Sequence, residues 1–336
     1  MPLTWKIISG NRIYNLVPHS KMNYKHLFGP VNSRRLGTSL GVDLIPFKYC
    51  PLNCVYCEVQ STTHLTLERS EYFPITEILT ELDAFLSTNP HLDYITFSGA
   101  GEPTLYSKIG DIIAFIKTNY PQYKVALLTN SILLHDEELR REILVCDLIL
   151  PSLDAVSQEA FEKINRPVPG VLSTDIIAGL IALRQEYHGK MLLEVFIVPG
   201  INAHDAELIL LAEAINAIKP DEVQINSLDR PGTEDWVTAA DPDTLKHVKK
   251  VFEKLTNSKI EIIAKLKADP KIEVLDKDIV NNIKSILIRR PLTAEDLAST
   301  LNLHINEVSK ILRQLSSEAK LSISRENRGV FYQWIQ

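Results

Sequence analysis

The sequence predicts an α/β protein built from parallel strand–helix units, followed by a small segment of short helices and a terminal hairpin. Short apolar, β-branched runs alternate with longer amphipathic stretches between about residues 42 and 264, which is the pattern of βαβ units. Hydrophobic residues make up 45% of the 336 residues and charged residues 23%, so the chain has the material for a large core. The pattern changes near residue 270, which indicates a second domain.

The predicted strands are short runs that are mostly apolar on both faces, as expected of parallel strands covered by helices. They are Val42–Phe47, Tyr94–Ser98, Val125–Thr129, Leu148–Leu153, Leu192–Val198 and Glu222–Leu228. Units of this kind that follow one another in order would close into an incomplete barrel. A flat, doubly wound sheet is the alternative, and periodicity does not separate the two.

The predicted helices of this region are Pro74–Leu86, His204–Ile218 and Asp241–Leu255. In the first of them, apolar side chains recur at helical spacing and share one face. These side chains are Ile75, Ile78, Leu79, Leu82 and Phe85. A helix with such a face packs against a sheet, which supports the strand–helix interpretation.

The last part of the chain has the element order of a winged-helix domain, a relative of the helix-turn-helix. The three predicted helices are Asp276–Ile288, a segment that Thr293 caps with Asp296 three residues on, and Ile305–Leu315. The runs Leu321–Ser324 and Val330–Ile335 are the predicted hairpin. Phe331, Tyr332 and Trp334 are expected in the core of this hairpin rather than on a base-stacking surface.

The predicted organisation is therefore an N-terminal extension of residues 1–21, a barrel of residues 22–270 and a winged helix of residues 271–336. The net charge of the chain is −6, which does not suggest a polycation built for nucleic acid. Residues 276–336 hold 9 Lys and Arg against 7 Asp and Glu. The third predicted helix carries the basic side chains Lys310 and Arg313. The turn of the predicted hairpin, which is the wing of such a domain, carries Arg325 and Arg328.

Targeting signals are not apparent in the sequence. The apolar runs fall short of the roughly 18 residues that a membrane span needs, and residues 1–10 lack the basic-then-apolar pattern of a signal peptide. We therefore expect a cytoplasmic protein without a membrane partner. Four cysteines in 336 residues also do not form a disulfide framework.

Three of the cysteines, Cys50, Cys54 and Cys57, fall within eight residues just after a predicted strand. Three thiolates on one loop can bind three irons of a 4Fe–4S cluster and leave the fourth iron open to a small molecule. A structural zinc ion would need four ligands, and Cys146 or His64 is then the candidate for the fourth. Cys146 lies in an apolar run and is expected to be a buried core residue.

Two motifs together carry a family resemblance. The cysteines stand at x3 and x2 spacing with Tyr56 directly before the last one, and the glycine-rich run Ser98–Thr104 contains Glu102 after a strand. The chain resembles the radical S-adenosylmethionine superfamily in both respects, over most of residues 22–265. The resemblance implies a partial (β/α)6 barrel. By analogy, this favours the incomplete barrel over the doubly wound sheet, which periodicity did not separate.

The resemblance also implies the cofactors and the reaction class. The open iron of a 4Fe–4S cluster would bind the methionine moiety of S-adenosylmethionine. One electron, supplied by a donor such as a flavodoxin or ferredoxin, would cleave this cofactor to methionine and a deoxyadenosyl radical. That radical would abstract hydrogen from a substrate, so the expected enzyme is an oxidoreductase or transferase.

The residues expected around the cofactor follow the ends of successive strands. They are Tyr56, Ser98, Gly99, Gly101, Glu102, Asn130, Ser152 and Asp154. By resemblance, Glu102 accepts a hydrogen bond from the ammonium group of the cofactor and Ser152 contacts its ribose or carboxylate. The alternatives are local: a helix-start carboxylate at Glu102, a turn at Asn130, and helix caps at Ser152 or Asp154.

The lead-in Phe28–Gly37 resembles the branch of the superfamily that includes the tRNA wyosine-base synthase. Arg34 and Arg35 in this stretch are candidate ligands of a substrate phosphate or carboxylate, with a solvated basic loop as the alternative. Arg230 is a further candidate, with a surface salt bridge as the alternative. Unlike those relatives, the chain has no cysteine before Cys50 and no flavodoxin domain, so only the core chemistry is expected to carry over.

Three functional hypotheses follow. The first is a radical enzyme that acts on RNA or a nucleotide, with the winged helix docking nucleic acid. The second is the same chemistry on a protein or small metabolite, with the winged helix docking a protein. The third is a non-catalytic iron–sulfur or zinc sensor that binds DNA, which would not need Gly99, Gly101 and Glu102.

Overall fold

The computed structural model describes residues 5–9, 12–16, 24–33, 35–229, 232–263, 279–301, 303, 305–326 and 328–335. The candidate substrate residues Arg34 and Arg230 lie outside this set. So do residues 276–278, at the start of the first helix predicted for the C-terminal domain.

In the described parts of the chain, the strands are distributed over one large sheet and three small ones. In chain order they are β1 (Trp5–Ser9), β2 (Arg12–Leu16), β3 (Leu27–Ser33), β4 (Gly37–Val42), β5 (Tyr49–Cys50), β6 (His64–Leu65), β7 (Tyr94–Phe97), β8 (Lys124–Thr129), β9 (Leu148–Pro151), β10 (Lys190–Ile197), β11 (Glu222–Ser227), β12 (Lys259–Ile262), β13 (Leu292–Thr293), β14 (Leu321–Glu326) and β15 (Gly329–Trp334). Strands β1 and β2 form an antiparallel hairpin within the predicted N-terminal extension.

The large sheet determines the architecture. Within the described residues it has eight strands in the order β3-β4-β7-β8-β9-β10-β11-β12. Every neighbouring pair is parallel except β3 and β4, which are antiparallel. From β4 onward the spatial order follows the chain order without the reversal that defines a doubly wound sheet. This α/β arrangement is consistent with a partial barrel that stays open between β3 and β12.

The first strand of the barrel differs from its predicted position. The sequence predicted Val42–Phe47, but β4 ends at Val42 and the chain leaves the sheet there. Pro46 has no N–H to donate to a neighbouring strand, so the segment after Val42 does not continue the sheet. Gly37 and Gly41 lower the apparent strand propensity of the segment that forms β4, which is why the sequence did not predict it. Strands β3 and β12 were also missed, since Pro30 interrupts β3 and β12 is a half-exposed edge strand of four residues.

The helices cover the sheet between its strands. In chain order the α-helices are α1 (Ile75–Leu86), α2 (Ile109–Asn119), α3 (Glu137–Ile143), α4 (Gln158–Asn165), α5 (Ser173–Glu186), α6 (Asp205–Ile218), α7 (Pro242–Leu255), α8 (Ile279–Leu287), α9 (Ala294–Leu301) and α10 (Ile305–Ser317). Short 3-10 helices occur at Pro103–Leu105 and Ile132–His135. The three helices predicted for the barrel are confirmed as α1, α6 and α7, and the predicted apolar face of α1 is buried.

The described residues from 279 to 335 form a C-terminal unit with its own core. Helices α8, α9 and α10 pack against an antiparallel sheet of order β13-β15-β14. Thr293 and Asp296 cap α9 reciprocally, as predicted: the Thr293 N–H donates to Asp296 Oδ2 over 3.2 Å, and the Asp296 N–H donates to Thr293 Oγ1 over 3.1 Å. Phe331 is buried, and Tyr332 and Trp334 pack on the apolar core of the unit, in line with the core role expected of them.

The C-terminal unit lies against the antiparallel edge of the barrel. Val31 of β3 belongs to the same apolar cluster as Ile283, Leu297 and Leu312 of the unit. This contact brings the unit to the open side of the barrel. Among the described residues, no helix is both long and apolar enough to cross a membrane.

Candidate functional site

The candidate site lies at the carboxyl ends of the parallel strands. Cys50 is in β5, and the loop that carries Cys54 and Cys57 follows it. Ser98, Asn130 and Ser152 come directly after β7, β8 and β9. Because neighbouring parallel strands end on the same side of a sheet, residues distant in the chain meet there, as at the active face of a barrel.

The three cysteines of the motif are free thiols. Cys50 is buried and the other two are half-buried. Burial raises the pKa of Cys50 to about 12, and it also raises the pKa of Cys54. Among the described residues, no group of three His, Cys, Asp or Glu side chains is placed to hold a single metal ion.

Each of the three sulfur atoms has a nitrogen donor from outside the motif. Asn130 Nδ2 lies 3.5 Å from Cys50 Sγ, and Asn165 Nδ2 lies 3.4 Å from Cys54 Sγ. Lys48 is the donor toward Cys57. Burial alone would lower the pKa of Lys48, but the attraction of the thiolates and the hydrogen bond to Cys57 raise it. The three nitrogen donors therefore favour negative charge on the sulfur atoms and oppose the burial that raises the pKa of Cys50 and Cys54.

One cavity of about 230 Å³ gathers the predicted cofactor residues. All eight of them line it: Tyr56, Ser98, Gly99, Gly101, Glu102, Asn130, Ser152 and Asp154. We call this space the first cavity. Asn130 and Asn165 line it as well as contacting cysteine sulfurs, so they join the motif to the cavity. The binding roles of the eight residues stay predictions.

The two glycines of the Ser98–Thr104 run are required by contacts with the protein itself. Gly99 has a φ of +155°, and a Cβ atom there would lie 2.3 Å from the carboxylate of Asp43. At Gly101 a Cβ atom would lie 2.0 Å from the carbonyl oxygen of Tyr49, next to Cys50. The glycines therefore let the turn approach the cysteine loop and Asp43, a reason that the sequence did not reveal.

Glu102 is a buried carboxylate with several donors. Its Oε1 accepts the hydroxyls of Thr104 over 2.6 Å and Thr129 over 2.7 Å, together with the Thr104 N–H over 3.2 Å. Its Oε2 accepts the Asn130 N–H over 2.8 Å. Burial raises the pKa of Glu102, and these donors oppose the rise. Glu102 thus caps the helix Pro103–Leu105, as the local alternative proposed, and also lines the first cavity.

Asp154 lies at the centre of a buried network and does not cap a helix, since Ser157 caps α4. It accepts hydrogen bonds from Tyr56 Oη over 2.5 Å, Asn165 Nδ2 over 2.7 Å and the Phe196 N–H over 3.0 Å. Burial raises the pKa of Asp154 to about 6. The Tyr56 ring stacks on Phe196 at 3.7 Å between centroids. The carbonyl oxygen Oδ1 of Asn165 is buried without a hydrogen-bond partner.

A second cavity, of about 310 Å³, adjoins the first. Tyr56, Ser98, Arg35 and Glu194 line both. Arg35 forms an ion pair with Glu194, and both side chains are mostly shielded from water. The alternative of a solvated basic loop therefore does not describe Arg35. Glu194 was not identified from the sequence, because a single acid inside a buried strand gives no motif.

The remaining candidate ligands lie apart from the first cavity. Cys146 is 4% exposed and belongs to the hydrophobic core, as predicted. His64 is exposed in β6, where its ring lies 4.4 Å from the Tyr49 ring. Neither side chain lines the first or the second cavity in the described structure.

Comparisons with known proteins agree with this geometry. A family profile described as the Radical SAM superfamily matches residues 44–212. The chain is 30% identical over 308 residues to a UPF0026 protein of Methanocaldococcus jannaschii, a match that covers 91% of this chain and 94% of that protein. It is 36% identical over 307 residues to a protein of Brachyspira hyodysenteriae named GTPase Obg, covering 90% of this chain and 44% of that protein. The chain thus spans less than half the length of the second relative.

A solved structure supports the fold. A radical SAM methyltransferase from Sphaerobacter thermophilus superimposes with a TM-score of 0.52 at 15% identity, over 67% of this chain and 65% of that one. The chain belongs to the radical S-adenosylmethionine superfamily, and this membership implies an enzyme that uses S-adenosylmethionine and a 4Fe–4S cluster.

Proposed function

We propose that this protein is a radical enzyme that cleaves S-adenosylmethionine reductively in the first cavity and directs the resulting radical to a substrate in the second. The observation that carries the proposal is the meeting of eight predicted cofactor residues around one cavity, whose lining residues Asn130 and Asn165 contact Cys50 and Cys54. The proposed reaction class is that of the superfamily, and the substrate is a separate proposal.

Cys50, Cys54 and Cys57 are the proposed ligands of the cluster. The donor set fits this group, because three free thiols lie on β5 and the loop that follows it, and each receives a nitrogen donor. Such donors offset the negative charge of a thiolate-bound cluster and tune its potential. When bound, the cluster supplies the electron that cleaves S-adenosylmethionine to methionine and a deoxyadenosyl radical.

The residues of the first cavity bind and orient S-adenosylmethionine in this proposal. Glu102 Oε1 is fully used by protein donors, whereas Oε2 accepts only the Asn130 N–H among the bonds described and keeps a free lone pair for an ammonium group. Asn165 Oδ1 is a second acceptor, buried and without a partner. Leaving it unsatisfied costs roughly 1–3 kcal/mol, and a donor on the cofactor would remove that cost.

The second cavity is the proposed substrate site. It adjoins the first cavity through Tyr56, Ser98 and Leu128. Arg35 is then placed at the boundary between cofactor and substrate, where it pairs with Glu194. Arg290 lines the same cavity from the C-terminal unit, so that unit contributes to the substrate site.

The C-terminal unit is proposed to be a winged-helix domain that begins near residue 271, with the barrel over residues 22–270 and an extension at residues 1–21. The order of its elements and its three-stranded antiparallel sheet support this assignment. Arg328 of the wing is held by ion pairs with Asp229 and Asp296. The engagement of this cation weakens the case for DNA binding and favours docking of a partner or closure of the substrate site.

The substrate is proposed to be RNA or a nucleotide, with a protein or small metabolite as the alternative class. The lead-in around Arg35 supports the first choice through its resemblance to the wyosine branch. A flavodoxin or ferredoxin is the proposed electron donor. The GTPase name of the Brachyspira hyodysenteriae relative is not carried over, since the sequence has no G-x-x-x-x-G-K-[ST] run.

Anaerobic reconstitution with iron and sulfide tests the enzyme. We expect brown iron–sulfur absorbance and, after addition of dithionite and S-adenosylmethionine, deoxyadenosine detected by mass spectrometry. A reconstituted protein that forms no deoxyadenosine contradicts the proposal and favours the sensor. Mass comparison of RNA from cells with and without the gene then separates the substrate classes, and unchanged RNA favours a protein or metabolite.

A further inference from the structure

We infer that Arg289 of the C-terminal unit is a positioning residue for the cofactor site, acting through Asp43 on the turn Gly99–Ala100. The inference rests on the proposed function, because it concerns the same cavity. It makes the C-terminal unit a part of the catalytic machinery rather than an appended docking module.

The link between the two parts of the chain is a buried ion pair. Arg289 Nε lies 3.0 Å from Asp43 Oδ2, across 246 positions of sequence. The side chains are 11% and 10% exposed, so water screens the pair little. Burial raises the pKa of Asp43, and the charge of Arg289 opposes that rise, so Arg289 favours the ionised carboxylate.

Asp43 in turn holds the glycine-rich turn. Both of its carboxylate oxygens lie 3.2 Å from the backbone nitrogen of Ala100. The carboxylate also occupies the space where a Cβ atom of residue 99 would lie, which requires glycine there. Gly99 and Gly101, on either side of Ala100, both line the first cavity. A movement of Asp43 therefore moves the wall of the cofactor site.

Arg289 is itself fixed by several contacts. Its Nη1 donates to the Ser285 carbonyl over 2.6 Å, at the end of α8, and its guanidinium lies 4.4 Å from the centre of the Phe28 ring. Phe28 packs over Gly41 of β4, the strand that leads into Asp43. The orientation of Arg289 thus depends on the docking of α8 against β3.

A second ion-pair contact allows the positioning role to be separated from simple docking. Arg328 joins the same C-terminal unit to the barrel through Asp229, with its Nη1 2.5 Å from Asp229 Oδ2. Arg328 and Asp229 line neither cavity in the described structure. Loss of either arginine weakens docking of the unit, but only loss of Arg289 releases Asp43.

The test compares Arg289→Met with Arg328→Met in the full-length, reconstituted protein. We expect the dissociation constant of S-adenosylmethionine, measured anaerobically by equilibrium dialysis, to rise about tenfold in Arg289→Met. The KM for S-adenosylmethionine should rise in parallel with the dissociation constant. The kcat should stay within about threefold of the wild-type value, since the cysteine ligands are untouched. In Arg328→Met the dissociation constant should stay within about twofold of the wild type. Its loss of thermal stability should be comparable to the loss in Arg289→Met.

The outcomes separate this inference from the proposed function. A wild-type protein that does not bind S-adenosylmethionine contradicts the proposed function itself. If the wild type binds and Arg289→Met binds equally well, Arg289 is only a docking residue. Should Arg289→Met fail to fold, Asp43→Asn decides: it keeps an acceptor for Ala100 but loses the ion pair, and unchanged affinity in it overturns the inference.

Discussion

Asn165 donates a hydrogen bond to the sulfur of Cys54 over 3.4 Å, although the two residues are 111 positions apart. The same amide group donates to Asp154 Oδ2 over 2.7 Å. One side chain at the end of α4 therefore joins the proposed cluster ligand to the polar wall of the first cavity. Asn165 lacks any motif context in the sequence, yet, like Asn130, it couples the cysteine motif to the first cavity.

Replacement of Asn165 by leucine should lower the reduction potential of the cluster. A hydrogen bond to a ligand sulfur stabilises the reduced, more negative cluster, so its loss favours the oxidised form. The midpoint potential, followed by electron paramagnetic resonance in a redox titration, measures the change. Asn119→Leu is the control, because the Asn119 amide donates to the Phe115 carbonyl in α2, and neither residue lines the first or the second cavity in the described structure. Equal potentials in Asn165→Leu and wild type would refute the assigned role.

The cysteine ligands are tested by iron content. Alanine at Cys50, Cys54 or Cys57 should each remove most of the iron bound after reconstitution and abolish deoxyadenosine formation. Cys146→Ala should keep both, at a stability cost of about 1 kcal/mol for the small cavity it leaves. An active Cys54→Ala, or a Cys146→Ala that has lost its iron, would show that the ligands are wrongly assigned.

The sequence predicted the parts of the site that are local in the chain. The cysteine spacing and the glycine-rich run around Glu102 are each contained in a few residues, and their placement after strands brought eight residues to one cavity. The glycines could be identified by type, but their physical reason lies in Asp43 and Tyr49, which other segments supply. Spacing alone does not reveal such contacts.

The errors have a common physical origin as well. Strand β4 was displaced because its glycines lower its apparent strand propensity, while pairing with β7 stabilises it. Arg35 was predicted to be a substrate ligand or a solvated loop cation, and its pairing with Glu194 was not anticipated because Glu194 is 159 positions away. Lys48 was overlooked since a lysine beside a motif is normally solvated, and burial against thiols is visible only in three dimensions.

Glu102→Gln should weaken cofactor binding without loss of iron. The glutamine amide would place a donor against a backbone N–H at either oxygen position, since the Thr104 and Asn130 N–H groups donate to different oxygens. An unsatisfied buried donor costs roughly 1–3 kcal/mol. The KM for S-adenosylmethionine measures the effect on the site.

Glu81→Gln is a matched control for this variant. Glu81 is also a buried carboxylate that accepts backbone N–H groups, those of Lys25 and His26 over 2.9 Å each. It lines neither cavity in the described structure. Glu81→Gln should therefore lose stability while the KM stays at the wild-type value, and a similar rise of KM in both variants would argue against a direct role of Glu102.

The barrel edge should show acid sensitivity through Glu222. Burial raises the pKa of Glu222, but hydrogen bonds from Gln224 and Lys259 outweigh it and lower the pKa below its ordinary value. A carboxyl whose pKa is lowered by folding stabilises the protein above its unfolded pKa, and this contribution is lost as the pH falls. Since Lys259 is largely exposed, the contribution should not exceed about 1 kcal/mol. Urea unfolding at pH 7 and pH 4 should show a smaller loss on acidification in Glu222→Gln than in wild type.

Gly101→Ala should damage the cluster and the cofactor site together. The Glu102 N–H donates to the Tyr49 carbonyl over 3.1 Å, and an added Cβ at residue 101 would lie 2.0 Å from that oxygen. The clash is with backbone, so relief requires the turn and the cysteine loop to move apart, at a cost of roughly 1–3 kcal/mol or more. Iron content after reconstitution and the affinity for S-adenosylmethionine should both fall.

Gly170→Ala supplies the comparison for that variant. Gly170 has a φ of +90°, but an added Cβ would meet no atom within 4 Å. This variant should lose about 1–2 kcal/mol from backbone strain alone, with iron content and affinity unchanged. If Gly101→Ala lost stability to the same extent but bound iron and S-adenosylmethionine normally, the close approach of the two motifs would be a packing feature without functional consequence. Loss of both ligands in Gly101→Ala alone would instead show that the glycine-rich turn and the cysteine loop form one unit.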